Sequence, residues 1–149
     1  MARYVTSVAT PLSAAEAFAY MADVTHFVEW DPGVKRVLRV AGAGDGAGVG
    51  AAYDLTVQAG GTTVMRYEVK EYEPPRRILL VARTSFLTSV DEVRVEPAGS
   101  GCVVTYDAKL TLNGPLGLFD PLLRLAFRRI GDRAAAGLKR VLSGKAAAG

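Results

Sequence analysis

The spacing of apolar residues changes period several times along the chain, and the changes mark its elements. From Arg3 to Thr10 (RYVTSVAT) β-branched and polar residues alternate as in a half-buried strand, and Pro11 stops it. Ser13 with Glu16 three residues on has the form of a capping box. A helix is predicted from there, with Ala17, Phe18, Tyr20 and Met21 as its apolar content and its end near Asp23. THFVEW predicts a second short helical turn with Thr25 as its cap, closed by Asp31-Pro32-Gly33.

Period two then takes over. Val34–Ala41, Tyr53–Gln58, Thr62–Glu73, Arg76–Thr84, Thr88–Glu96 and Cys102–Leu112 read as strands, with turns at Gly60-Gly61, Pro74-Pro75 and Gly99-Ser100-Gly101. Met65, Tyr67 and Val69 share one face of their strand, and Arg66, Glu68 and Lys70 the other. In Cys102–Leu112, Val104, Tyr106, Ala108 and Leu110 are expected inside, with Thr105, Asp107, Lys109 and Thr111 outside. Arg76–Thr84 is apolar on both faces (Ile78, Leu79, Leu80, Val81), so its orientation stays open. Strands joined by short turns form an antiparallel meander, and the polar face of the fourth and seventh strands marks one side of the sheet as wet.

Pro115–Leu142 is the stretch long and periodic enough for a long helix, the natural cover for the other side of the sheet. Phe119, Leu123, Ala126, Phe127, Ile130, Ala134, Leu138 and Val141 form its apolar arc, with Arg124, Arg128, Asp132 and Lys139 opposite. Asp120-Pro121 suits an N-cap and a first helical position, which would make Pro115–Phe119 a separate turn. Leu118, Leu122 and Leu125 lie outside the arc, so the front of this segment is apolar almost all round.

Length and composition narrow the picture. A chain of 149 residues with half its residues apolar and 22% charged reads as one domain, residues 1–149, with a flexible tail from about 143. Cys102 is the one cysteine and has neither a disulfide partner nor a zinc ligand set. No basic-then-apolar leader follows Met1, and no apolar run approaches the ~20 residues of a membrane span. A cytoplasmic protein is expected. The net charge of +3 divides unevenly: residues 115–149 hold 7 Lys/Arg against 2 Asp/Glu, and the remainder is slightly acidic. This basic helix reads as a solvated face, with weak contact to an anionic membrane as the other reading. Nucleic acid is not expected, because basic residues are not interleaved with aromatic ones. Gly46-Ala47-Gly48-Val49-Gly50-Ala51 fits GxGxxA, but a strand-like AYDLTVQ follows where phosphate binding requires a helix.

The order of elements, with VTSVATPLSAAEAFAYMADV, EWDPGVKRV (Glu29–Val37), YEVKEYEPPRRI (Tyr67–Ile78), GSGCVVTYDAKL (Gly99–Leu110) and a last helix entered through GPLG, resembles the START-like or helix-grip superfamily. The nearest branch is the bacterial polyketide cyclase/dehydrase and lipid-transport-like one, of the SRPBCC type. The resemblance covers essentially the whole chain. It implies an α+β fold: a curved antiparallel sheet of about seven strands grips a long C-terminal helix, two short helices follow the first strand, and an apolar cavity lies between sheet and helix. The superfamily holds carriers, cyclases, hydroxylase subunits and co-chaperone domains, so the fold does not choose a chemistry. Binding of a small hydrophobic molecule, such as a lipid or polyketide, is the expectation. The alternatives are a cyclase or aromatase promoting aldol closure and dehydration, and a membrane-surface or protein-interaction module. The rear of the last helix is expected to hold the fold and its front to admit the ligand.

The residues present few assembled catalytic groups. His26, the one histidine, reads as a surface or helix-end residue, or else as an acid/base at the cavity mouth. No metal and no cofactor are expected. Asp91 and Ser89 alternate with Val93 and Val95, so either Asp91 points into the cavity or the strand frays there and leaves it solvated. The expected ligand-contacting set is Trp30, Tyr53, Met65, Tyr67, Phe86, Asp91, Tyr106, Phe119, Leu123 and Phe127. Catalysis stays open; an enzyme would use Asp91, Tyr67, Tyr106 and His26.

Overall fold

A computed structural model describes residues 1–41, 48–58 and 61–148, and the side chains of these except at 41, 116–117, 119–120 and 145–148. Among the described residues seven strands make one antiparallel sheet: β1 (Ala2–Thr10), β2 (Val34–Ala41), β3 (Ala52–Gln58), β4 (Thr62–Glu73), β5 (Arg77–Arg83), β6 (Leu87–Ala98) and β7 (Gly101–Leu112). Their spatial order is β1-β7-β6-β5-β4-β3-β2, a meander from β2 to β7 with β1 added beside β7. The register breaks between Val34 and Arg36, Arg39 and Ala41, and Val69 and Glu71. Each irregularity adds local bend and twist, which curves that half of the sheet.

The two short helices between β1 and β2 follow from local chemistry. The Ser13 hydroxyl accepts from Glu16 N at 3.1 Å, and Ser13 N donates to the Glu16 carboxylate at 3.4 Å, so the capping box starts α1 (Ala14–Ala22) as expected. The next cap differs from expectation. Asp23, not Thr25, caps a single 3-10 turn (Val24–His26), because its carboxylate accepts from Thr25 N at 3.1 Å. That turn runs into α2 (Phe27–Trp30).

The concave face of the sheet carries the core. Leu55, Met65, Tyr67, Val69, Ile78, Leu80, Val93, Val95, Val104 and Tyr106 are all buried on it. The ambiguous β5 is resolved: Ile78, Leu80 and Ala82 point inward, while Leu79 and Val81 are half-buried on the other side. The outer face is laced with cross-strand ion pairs. There Asp107 departs from the expectation of a solvated side chain. It is buried, held by Arg3 at 2.7 and 3.0 Å and by Arg94 at 3.4 Å, and the guanidinium groups keep its carboxyl below the usual range.

The C-terminal segment is a 3-10 stretch (Gly114–Phe119) followed by α3 (Asp120–Ala148), so it is not one continuous helix from Pro115. The Asp120 side chain, and with it the expected cap, lies outside the described side chains. In the rear of α3, Gly131, Ala134, Gly137, Leu138 and Leu142 are buried. Leu142 had not been placed on the packed arc, whereas Ala126, which had been, is exposed. The small residues set the approach. A methyl group at Gly131 would run into the Tyr4 ring, and one at Gly137 into the Trp30 backbone carbonyl. Tyr4 Oη also donates to Asp132 at 2.7 Å, and Arg140 donates to Glu29 O at 3.2 Å, tying α3 to β1 and α2.

A paired substitution checks this seam. Gly137→Ala is expected to lower stability by about 1–3 kcal/mol despite the better helix propensity of alanine, because the obstacle is backbone. Gly144→Ala, with open space around it, is expected to raise stability by up to about 1 kcal/mol. Urea titrations of both variants against the wild type measure the difference.

Candidate functional site

Beneath the middle of α3, from Phe127 to Ala134, an internal cavity of about 190 Å³ remains. Its floor is the concave sheet, through Leu55, Val57, Met65, Tyr67, Ser89, Asp91, Tyr106, Ala108 and Leu110. Phe127, Ile130, Gly131 and Ala134 of α3 form the roof, while Phe27, Asp31, Gly33 and Val34 form one wall. Gly33, Gln58, Leu87, Leu110, Phe127 and Ile130 also line an outer cleft, together with Leu123, Lys35, Arg129 and Arg133. These shared residues make the mouth, and it is ringed by basic side chains.

The interior is mostly apolar, and its buried hydroxyls and one carboxylate form a connected group. Strand pairing places Asp91 opposite Ala108 and Val93 opposite Tyr106, so the inward residues of β6 and β7 lie side by side. Tyr67 Oη donates to Ser89 Oγ at 2.9 Å, Ser89 Oγ donates to Asp91 Oδ1 at 3.3 Å, and Tyr106 Oη donates to Asp91 Oδ2 at 2.7 Å. Asp91 is 6% exposed, so the reading in which its strand frays and leaves it solvated is wrong. Burial pushes its carboxyl up to about 6; the Tyr106 and Ser89 hydrogen bonds oppose the rise, and the charges of Asp31 and Asp107 add to it. Tyr67 and Tyr106 are raised well above the ordinary phenol value, first by burial and then by the Asp91 charge. Both therefore keep their protons at any working pH.

Asp31 is the residue that sequence reasoning missed. Asp-Pro-Gly announces a turn and says nothing about where the carboxylate points. Here Oδ1 accepts from Gly33 N at 2.9 Å, which folds the side chain back along the turn onto the cavity wall. Burial raises its carboxyl above the ordinary value.

Of the expected set, Met65, Tyr67, Asp91, Tyr106 and Phe127 line the cavity together. Leu123 lies in the outer cleft. Trp30 is not among the lining residues; it is edge-on to the Tyr106 ring at 5.0 Å, and its buried indole N–H has no hydrogen-bond partner among the described residues. Tyr53 lines a separate surface hollow with Ala19, Ala22 and Tyr72. Phe86 is 66% exposed at the turn between β5 and β6. The Phe119 side chain lies outside the described side chains. His26 does not join Asp91, Tyr67 and Tyr106: it stacks on Tyr20, with ring centroids 4.4 Å apart, and its Nδ1 lies 2.8 Å from Tyr20 O. His26 is not among the residues that line the cavity.

The sequence model for polyketide cyclase / dehydrase and lipid transport proteins matches residues 1–143. The chain belongs to that family. A START superfamily protein from Mycobacterium smegmatis superposes with a TM-score of 0.77 at 16% identity, covering 94% of this chain and 96% of that one. The Zhui aromatase/cyclase from Streptomyces superposes with a TM-score of 0.71 at 16% identity, covering 97% and 92%. The di-domain ARO/CYC StfQ of the steffimycin pathway gives 0.72 at 15%, covering 97% of this chain and 50% of that one. No curated protein matches the sequence. At these identities the neighbours establish the helix-grip fold and leave the chemistry to the residues. Among the described residues, no helix is long and apolar enough to cross a membrane.

Asp91 makes a testable contribution to stability. Its carboxyl titrates near 6 when folded against 3.8 as its ordinary value. Between those values the folded chain binds more protons than the unfolded one, so this group's contribution to stability falls as pH rises. Above both, the gap corresponds to about 3 kcal/mol of destabilisation. Asp91→Asn keeps the shape and removes the charge. Its stability relative to wild type, from urea unfolding, is expected to improve by up to about 3 kcal/mol between pH 4 and pH 8; a difference flat in pH would contradict the buried, ionisable Asp91.

Proposed function

We propose that this protein binds a small, largely apolar molecule in the cavity between the sheet and the middle of α3. The supporting observation is the cavity itself: mostly apolar walls, with Asp31 on one of them, around a buried polar group of Tyr67, Ser89, Asp91 and Tyr106. A site of this kind gains affinity from apolar burial and orientation from a few placed polar atoms. The family, with lipid transport in its description, and the START neighbour agree with this reading. Size narrows the ligand. At about 190 Å³ the cavity is somewhat larger than the ~150 Å³ that accommodates benzene and smaller than the ~300 Å³ at which drug-sized pockets begin. One or two fused rings fit as it stands. A longer chain would extend past Phe127 into the outer cleft.

Naphthalene is a suitable probe. Calorimetric titration is expected to show binding to the wild type, and at least tenfold weaker binding to Ala108→Phe, whose ring would occupy the floor of the cavity. Absence of naphthalene binding to folded wild-type protein would count against the proposal.

A second reading, promotion of aldol closure and dehydration of a poly-β-ketone, is favoured by the meeting of three polar groups, Asp91, Tyr67 and Tyr106, in one cavity. The resemblance to the Zhui aromatase/cyclase supports it. Asp91 would act as the base. The α-protons of 2-tetralone report on it: in deuterium oxide at pH 8, this reading requires faster exchange with wild type than with Asp91→Asn, and equal rates remove it.

A further inference from the structure

The hydroxyl protons around Asp91 can be counted, and none remains for a ligand. Tyr67, Ser89 and Tyr106 each have one. The Tyr67 proton goes to Ser89, and those of Ser89 and Tyr106 go to Asp91. The Gly33 N–H on the cavity wall is taken by Asp31, and the Tyr4 hydroxyl by Asp132. What the polar group shows to the cavity is therefore lone pairs: the carboxylate and three hydroxyl oxygens. Gln58 and Thr63, the other lining side chains with donor hydrogens, are solvent-exposed. Among the described residues, no lining side chain is Lys, Arg or His, and two are aspartates.

We propose that the cavity selects ligands whose polar end donates a hydrogen bond, a neutral hydroxyl or a protonated amine, and rejects carboxylates and other anions. This rests on the reading that the cavity binds a ligand, and adds the chemical class of that ligand. A polar end that only accepts would face oxygen lone pairs at a buried group, and an anion would also meet Asp31 and Asp91 with no lining counter-charge among the described residues. A hydroxyl completes an acceptor already in place, and a hydrogen bond to a charged partner is among the stronger ones. The basic residues at the mouth do not change this, because Lys35, Arg129 and Arg133 line the outer cleft and not the inner cavity.

A naphthalene series at pH 7.5 tests the selection: 1-naphthol, 1-methoxynaphthalene, 1-naphthylmethylamine, 1-naphthoate and unsubstituted naphthalene, each titrated into wild-type protein by calorimetry. Expected results are 1-naphthol at least about tenfold tighter than 1-methoxynaphthalene, the amine tighter than naphthalene, and 1-naphthoate weaker than naphthalene. Ser89→Ala frees the Tyr67 proton, and Asp91→Asn places an amide donor where the carboxylate was. In either variant the preference for 1-naphthol over its methyl ether is expected to shrink below about threefold. The proposal is overturned if the methyl ether matches 1-naphthol in wild type, if 1-naphthoate binds more tightly than naphthalene, or if both folded variants keep the wild-type preference. In each of those cases naphthalene still binds and the cavity reading stands. If no member binds, naphthalene included, both fall.

Discussion

The close contact of the rear half of α3 with β1 and α2 is the constraint on which the rest depends. Gly131 lies on the Tyr4 ring and Gly137 on the Trp30 carbonyl, with Ala134, Leu138 and Leu142 buried between and beyond them. The contact is close at Gly131 and Gly137, and between helix and sheet, from Phe127 to Ala134, a space is left. The side chains that reach down there, Phe127 and Ile130, do not fill the gap, and the cavity is what they leave. The outer side of the same front half carries Leu118, Leu122 and Leu125, 84, 67 and 58% exposed. Rear and front of one helix thus do opposite things. The rear is stabilised by close packing; the front carries exposed leucines, and Leu123 there lines the outer cleft.

Much of this was legible in the sequence because two simple periodicities govern it. Strict alternation placed Met65, Tyr67, Val69 and Tyr106 on the concave face and left Asp91 open between that face and a frayed, solvated strand, and the Ser13–Glu16 spacing located the start of α1 to the residue. The failures have physical reasons too. Arg77–Arg83 is apolar on both faces, so alternation had nothing to read; only pairing with β4 and β6 orients it. Asp107 is on the outer face as its parity requires, yet it is buried, because Arg3 and Arg94 from the two neighbouring strands close over it. Pattern gives the face and not the covering. Asp23 took the cap expected of Thr25 because a carboxylate two residues back reaches the free N–H of the turn.

The candidate site was legible in part for the same reason. Four of its polar members, Tyr67, Ser89, Asp91 and Tyr106, lie on regular strands, where parity bears on their orientation. Asp31 and His26 lie on turns, where a side chain's direction depends on the backbone path and its local hydrogen bonds. Asp31 is drawn onto the cavity wall by Gly33 N, and His26 is held against Tyr20 on the far side of its turn. The residues expected from the same sequence therefore included His26, which is absent from the cavity, and omitted Asp31, which lines it.

The direction of the hydrogen bonds also bears on which reading the site supports. Enolisation of a ketone requires a base for the α-proton and a donor for the negative charge that develops on oxygen. Asp91 meets the first condition, with a carboxyl that is ionised above about pH 6 and shielded from water. The second is unmet as the cluster stands, since Tyr67, Ser89 and Tyr106 have all turned their protons toward Asp91 or toward one another. To serve an enolate, Tyr106 would have to release a 2.7 Å bond to a buried carboxylate and leave that charge less solvated as the new charge forms. Binding needs no such rearrangement. A hydroxyl-bearing ligand adds one donor to a group that already holds the complementary acceptors, which is why recognition, and not turnover, is the reading this arrangement supports best.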